Sequence, residues 1–440
     1  MYNKGYIIHT FGCQMNEHDS EKIAWILENM GYLPVDSDEE ADIILFNTCA
    51  IRQSAEDKVY GKVGSLKPMK NANPNKIIAI GGCMMNMDES RDKILKSHGH
   101  VDIIFGTQNL FKLPELIRGL SSNNKRIVDV KAEYSVENDK INAIYSSPYK
   151  ALVNIMYGCN NFCTYCVVPY TRGREISRDP KQIISEIEKL VDKGTKEVML
   201  LGQNVNSYGK SLCNNYNFVS LLKEINNIKG LKRIRFMTSH PKDISDELIE
   251  SWPQLDKLCH SLHLPLQSGS NKVLKEMNRH YTQEKYINIV NKIKATVPDI
   301  ALTTDLIVGF PGESEEDFEK TIETIKKVEY DSSYTFLYSP RSNTPAAERD
   351  DQIPHRVKQE RFEKLLVELY PIALKKNTNE IGKIREVLVE GIDKIGENLV
   401  GRTLHGKLVN FPGDKDIIGS YVNVKIVGAN TFALEGRLME

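Results

Sequence analysis

The sequence predicts an α/β protein in three parts: an N-terminal doubly wound parallel-sheet domain, a central partial (β/α)6 barrel and a small C-terminal all-β barrel of OB-like type. Three observations predict it. Short apolar runs alternate with helical periodicity over the first 120 residues, and six further strand–helix repeats run to about residue 376. The last 60 residues then change to brief strand-like runs separated by glycine turns.

In the first part the strands are expected at Tyr6–Phe11, Ile43–Phe46, Ile77–Ile80 and Val101–Phe105, short and apolar as buried parallel strands are. Helical patterns follow at about 20–30 and 54–67, the second opening with Ser54-Ala55-Glu56-Asp57, a capping-box signature. Residues 121–144 are polar and read as a linker with some strand. The second part supplies strands Leu152–Met156, Glu197–Leu201, Arg233–Met237, Leu258–His263, Ala301–Val308 and Ser333–Tyr338. Asp179-Pro180 marks a helix start, and Ser314 with Asp317 marks another. The barrel at the end takes Val387–Val389, Leu399–Val400, Lys407–Phe411, Tyr421–Val427 and Phe432–Leu438. The domains are therefore drawn at 4–120, 145–375 and 378–440, with the linker at 121–144.

Composition sets the class. With 40% apolar and 27% charged residues in 440, the chain is an ordinary globular protein. No run approaches the roughly 18 apolar residues of a membrane span, and Met1-Tyr2-Asn3-Lys4-Gly5 lacks the layout of a signal peptide. A cytoplasmic location is expected, with no membrane partner and a monomeric state. The formal net charge of −1 argues against indiscriminate nucleic-acid binding. From Lys58 to Met87, however, Lys58, Lys62, Lys67, Lys70 and Lys76 occur with no acid among them. That stretch is either a phosphate-facing patch or a solvated lysine face. The C-terminal barrel is neutral, with eight basic and eight acidic residues from Ile381 to Glu440.

Eight cysteines in such a chain point to metal or catalysis rather than disulfides. Cys159, Cys163 and Cys166 form C-x3-C-x2-C directly after a barrel strand, where barrel active sites lie. Three thiolates hold three irons of a four-iron cluster and leave the fourth open, as a catalyst requires. A zinc knuckle would need a fourth Cys or His nearby, and none follows at finger spacing. Cys13, Cys49 and Cys83 each sit just past a predicted parallel strand, so the doubly wound topology gathers them at one sheet edge. The alternative is three buried cysteines with no joint role. Cys213 and Cys259 have no partner pattern.

The stretch from Tyr157 to Cys166 with its aromatics Phe162 and Tyr165 resembles the radical S-adenosylmethionine (SAM) superfamily. Thr10-Phe11-Gly12-Cys13-Gln14-Met15-Asn16, Asn47-Thr48-Cys49-Ala50-Ile51-Arg52, Gly81-Gly82-Cys83, Pro169-Tyr170-Thr171-Arg172-Gly173-Arg174-Glu175, His263–Ser270 and Thr304–Glu313 narrow the resemblance to the methylthiotransferases. The C-terminal barrel is placed like that family's TRAM domain. Gln14-Met15-Asn16 and Leu200–Gly209 are most similar to the branch that makes 2-methylthio-N6-dimethylallyladenosine in tRNA. Other branches act on threonylcarbamoyl-adenosine in tRNA or on an aspartate of a ribosomal protein. A non-catalytic zinc RNA-binding protein is the alternative of another class.

The resemblance implies two [4Fe-4S] clusters, one on Cys159, Cys163 and Cys166 that cleaves SAM to a 5′-deoxyadenosyl radical, and an auxiliary one on Cys13, Cys49 and Cys83 that supplies sulfur. Such chemistry reaches an unactivated C–H where acid–base catalysis does not. A second SAM supplies the methyl group. No catalytic residue beyond the cluster ligands is implied. Gly202, Gln203, Gln267, Ile307 and Gly309, at strand ends, are the SAM candidates. Tyr170, Arg172, Arg174 and Arg178 are the tRNA candidates, since arginine beside an aromatic suits base stacking and phosphate contact, with at least one expected in an internal ion pair. The partners implied are the tRNA anticodon stem-loop, an electron donor of flavodoxin or ferredoxin type and a sulfur source. His240 and His263 read as hydrogen-bonded core residues.

Overall fold

The computed structural model describes residues 4–50, 53–123, 126–130, 136–213 and 215–439, so Ile51, Arg52 and the side chains of Ser54 and Ser121 to Asn124 lie outside the described residues. β1 (Lys4–Phe11), β2 (Tyr32–Pro34), β3 (Ile43–Thr48), β4 (Ile77–Gly82), β5 (Ile103–Phe105) and β6 (Ile127–Asp129) form one parallel sheet in the order β2-β1-β3-β4-β5-β6. Apolar side chains cover both faces. Ile43 and Leu45 join Ile23 and Leu27 on one side, while Ile44 and Phe46 join Val59 and Val63 on the other. That two-sided burial is why the strands read as unbroken apolar runs rather than as an alternation. Strand order reverses between β1 and β3, the switch point where such sheets bind ligands.

β2, with only three residues, was not legible in the sequence, whereas β6 lies inside the stretch read as a linker with some strand and adds to β5 as an edge strand. The helix Gln53–Ser65 starts one residue before Ser54, which places Ser54 in its first turn rather than at its cap. The lysine-rich stretch is largely tied down. Lys62 pairs with Asp38, Lys70 with Asp102, and Lys76 is buried against the carbonyls of Asp38 and Glu39.

The central domain curves β7 (Lys150–Asn154), β10 (Glu197–Leu201) and β11 (Arg233–Phe236) into β12 (Ser261–His263), β13 (Ala301–Val308) and β14 (Ser332–Leu337), all parallel. A single bridge from Ile234 to Leu258 joins the halves. Between β7 and β10 the short antiparallel pair β8 (Met156–Tyr157) and β9 (Ile176–Ser177) frames the cysteine loop. Asp179 caps the next helix by accepting from Lys181 N–H at 2.7 Å, and Ser314 and Asp317 form the capping box of Glu315–Val328.

The helix His355–Thr378 leads to a closed barrel of β15 (Ile384–Ile392), β16 (Leu399–Thr403), β17 (Leu408–Phe411), β19 (Leu434–Leu438) and β18 (Tyr421–Ala429) in that order. It is fastened to the central domain by buried arginines. Arg233 donates to Arg402 O at 2.9 Å and Arg235 to Thr403 O at 2.6 Å. Among the described residues no helix is long and apolar enough to cross a membrane.

Candidate active site at the domain seam

Register decides where the first triad lies. Phe11 is level with Thr48, and Thr48 with Gly82, so Cys49 and Cys83 leave adjacent strands at the same height and Cys13 follows one residue beyond. At Gly82, φ is +101° and a Cβ would stand 2.3 Å from Thr48 O, so only glycine lets the chain turn into Cys83. Cys13 caps the helix Gln14–Asn29, and its Sγ lies 3.3 Å from Asn16 Oδ1. Asn16 in turn donates to Asn47 Oδ1 at 3.0 Å, locking the two strand ends together.

Arg172 joins this triad from the central domain. Its Nε donates to Cys83 Sγ at 3.1 Å and its Nη2 to Asp19 Oδ2 at 3.0 Å, with the guanidinium buried. The thiols respond differently. A hydrogen bond from Cys49, helped by the Arg172 charge against the cost of burial, brings the Cys13 thiol down to about 5. Burial pushes Cys83 up to about 11 despite Arg172.

The second triad is built by one loop. At Gly158, φ is +70° and a Cβ would stand 2.0 Å from Arg174 O, so the loop folds back tightly before Cys159. Cys159 N donates to Gly173 O at 3.2 Å, Cys166 N to Cys163 O at 2.9 Å, and Thr164 N to Met277 O at 3.1 Å. Burial raises Cys159 to about 11 and Cys166 to about 12. Here too a buried arginine approaches sulfur: Arg279 Nη1 lies 3.4 Å from Cys163 Sγ while Nη2 holds Pro265 O at 3.2 Å. Nothing in the sequence around Arg279 marked it. The only local signal is left-handed backbone on both sides, at Asn278 and His280.

The triads share one seam. Met15, two residues after Cys13, packs with Leu152, Tyr157, Met199 and Leu201 of the barrel, and Cys13 itself touches this cluster. Val167, next to Cys166, packs against Ala50 and Cys83. Polar ties fix the approach: Asn86 donates to Thr171 O at 2.6 Å and Gln108 to Arg172 O at 3.1 Å.

Above the barrel the strand ends carry polar atoms that no group among the described residues satisfies: both amide atoms of Asn154, Gln203 Oε1, Gln267 Oε1, Ser239 Oγ and His240 Nε2. Asn154 alternates with Val153 and shares the side of Leu152 that faces the seam. Orphaned buried polar groups are costly without a ligand. An amino acid zwitterion, ribose hydroxyls and a purine would satisfy this mixture, so the residues fit SAM.

Among the SAM candidates, Gly202 and Gln203 follow β10, and Gln203 Nε2 contacts Met15 Sδ. Gln267 has φ of +67° and bridges β13 through Ile307 N–H at 3.0 Å. Gly309 is occupied structurally, donating its N–H to Glu313 Oε2 at 2.8 Å against the Lys358 stem. The tRNA candidates divide. Arg172 and Arg178 are buried in internal pairs, Arg178 with Glu186 at 2.8 Å and Asp139 at 3.3 Å, and neither presents its charge to a polynucleotide. Arg174 and Tyr170 are exposed. Arg174 lies 4.3 Å from the Phe162 ring centroid, and Tyr170 meets the same ring edge-on.

The comparisons with known proteins agree with this architecture. Residues 153–325 match the radical SAM superfamily, 5–106 match the Uncharacterized protein family UPF0004, and 379–439 match the TRAM domain. The fold is similar to a radical S-adenosylmethionine methyltransferase, TsrM, from Kitasatospora setae (TM-score 0.56, 12% identity, 78% of this chain and 75% of that one). It is also similar to the cobalamin-dependent S-adenosylmethionine radical enzyme OxsB (TM-score 0.53, 12% identity, 84% of this chain and 58% of that one). Barrel, cysteine loop and domain match together define a radical SAM enzyme that uses SAM and an iron–sulfur cluster. The relatives narrow the class. A protein of Clostridium botulinum (strain Langeland) is 54% identical over 98% of this chain and 96% of its own. One of Clostridium perfringens (strain SM101) is 52% identical over 100% and 99%, and one of Alkaliphilus oremlandii is 51% identical over 100% and 93%. All three are named tRNA-2-methylthio-N(6)-dimethylallyladenosine synthase, and the chain belongs to that family of transferases.

Proposed function

We propose that this protein converts N6-dimethylallyladenosine at position 37, beside the anticodon of tRNA, to its 2-methylthio derivative. The observation that carries the reading is the meeting of two three-thiol sites at one seam, with Arg172 reaching from the loop of one to Cys83 of the other. Cys159, Cys163 and Cys166 hold the cluster that engages SAM, and Cys13, Cys49 and Cys83 hold a second, auxiliary [4Fe-4S] cluster. When bound, these groups supply one-electron chemistry at an unactivated C–H, a sulfur atom and a methyl group.

The chain does the positioning. Arg172 and Arg279 each set a buried positive charge beside one thiol triad. Asn154, Gln203, Gln267 and His240 line the barrel mouth as the polar cradle for SAM. Met15, Leu152, Met199 and Leu201 keep water from the seam. Exposed Tyr170 and Arg174 meet the half-buried Phe162 ring in an aromatic–cation platform at the rim, suited to a base unstacked from the anticodon loop. A flavodoxin- or ferredoxin-type donor supplies electrons, and a separate source replenishes sulfur. The chain works in the cytoplasm as a monomer. Threonylcarbamoyl-adenosine and the ribosomal aspartate are disfavoured by relatives above 50% identity that carry a different name. The zinc RNA-binding reading gives way to the radical SAM match.

The test is nucleoside analysis of tRNA from a strain lacking this gene. The 2-methylthio-N6-dimethylallyl nucleoside disappears, its unthiolated precursor accumulates, and the wild-type gene restores it. Loss of a different methylthio nucleoside would overturn the assignment.

A further inference from the structure

Away from the thiols, at the opposite end of the barrel, three side chains from three loops turn toward one another. His260 immediately precedes β12, Asp299 precedes β13, and His405 sits in the hairpin between β16 and β17 of the C-terminal barrel. His260 Nδ1 lies 2.8 Å from Asp299 Oδ1, and His405 Nε2 lies 2.8 Å from Asp299 Oδ2. One ligand-capable atom from each falls within 4.8 Å of the other two. The imidazole rings meet edge to face at 5.9 Å between centroids.

We propose that His260, Asp299 and His405 form a zinc site that fastens the C-terminal barrel to the floor of the central domain. Two imidazoles and a carboxylate are a donor set that suits zinc, with a fourth position left to water. The spacing fits: a tetrahedral ion about 2.0–2.1 Å from each donor sets them roughly 3.3 Å apart, between the 2.8 Å of the His260–Asp299 contact and the 4.8 Å within which all three donor atoms lie. Water has a way in, because Asp299 is half exposed and His260 a third exposed, whereas His405 is buried.

The frame is rigid independently of the ion. Arg235 holds Thr403 O at 2.6 Å and Leu404 O at 3.2 Å, which fixes the turn that carries His405. His260 O accepts from Ala301 N at 2.9 Å, which fixes the other two loops against each other. A site assembled from both domains by loops already held in place binds without reorganising either. Placement at the amino ends of the barrel strands, away from the cysteine loop, marks its role as structural rather than catalytic.

The experiment uses holoprotein with its iron–sulfur sites filled anaerobically, so that free thiols do not compete for zinc. After exposure to zinc chloride and desalting, wild type retains one zinc per chain with its iron content unchanged and melts at a higher temperature than in chelator. Asp299→Asn and His405→Ala weaken zinc affinity at least about 10-fold, while each keeps the wild-type iron content and gains no melting temperature when zinc replaces chelator. His260→Gln serves as the replacement should either variant lose iron. Wild type retaining no zinc overturns the proposal, and so do variants that retain zinc as wild type does.

Discussion

Cys159, Cys163 and Cys166 are positioned by a single loop, whereas Cys13, Cys49 and Cys83 are brought together from the ends of three strands by sheet register. Each arrangement uses a glycine of positive φ just before a cysteine and a buried arginine beside a sulfur. Their electrostatics differ in part: burial raises Cys159 and Cys166 at the loop triad and Cys83 at the strand-end triad, whereas the hydrogen bond from Cys49 and the Arg172 charge lower Cys13. Arg279 comes from the same domain as the cysteines it serves, but Arg172 comes from the neighbouring one. The strand-end site is therefore complete only when the two domains are docked.

The largest expected effect separates the two sites. Cys159→Ala abolishes reductive SAM cleavage, followed as 5′-deoxyadenosine, together with tRNA methylthiolation. Cys49→Ala abolishes methylthiolation and leaves SAM cleavage largely intact. Equal loss of both activities in Cys49→Ala would break the division of labour.

The arginines sharpen it. Arg172→Ala strands Asp19 in the seam and lowers stability by about 3–5 kcal/mol, the range for breaking a buried pair. It also shifts the reduction potential of the cluster on Cys13, Cys49 and Cys83 alone, as read by EPR-monitored titration, while Arg279→Gln shifts the other alone. Gly158→Ala forces an L-residue into a left-handed turn against Arg174 O, costing about 1–3 kcal/mol before the clash is counted, and lowers iron retention at the loop site.

The smallest effect lies outside both triads. Burial raises the Glu313 carboxyl from the ordinary 4.5 to about 7, against the pull of Gly309 N–H and Arg361. A raised acid favours the folded state fully below pH 4.5 and loses that contribution as pH climbs through 7. Glu313→Gln keeps the acceptor and flattens the fall in melting temperature between pH 5 and 8; an unchanged slope would mean that Glu313 does not titrate there.

Much of this was legible from residues alone, for identifiable reasons. The loop triad is local, so its spacing displays it. The strand-end triad became visible only once each cysteine was set against a preceding apolar run and the parallel topology supplied the convergence. The five strands of the C-terminal barrel were marked by their glycine turns. That at least one of Arg172, Arg174 and Arg178 makes an internal ion pair was expected, but which ones was not legible. Cys83 and Asp19, the partners of Arg172, lie in the other domain, and Arg178 pairs with Glu186 and with Asp139, which is distant in the chain. Arg279 was missed for the same reason. Asn154 was not singled out in the sequence, and its meaning emerges from its unsatisfied amide.

Anaerobic iron and sulfide counts on wild type and on the Cys13→Ala/Cys49→Ala/Cys83→Ala variant test the central claim most directly. Two four-iron sites predict roughly eight iron and eight sulfide per chain, falling to roughly four of each in the variant with SAM cleavage retained. The same count in both proteins, or a variant that loses all its iron while folded, would contradict two separate thiol-held clusters.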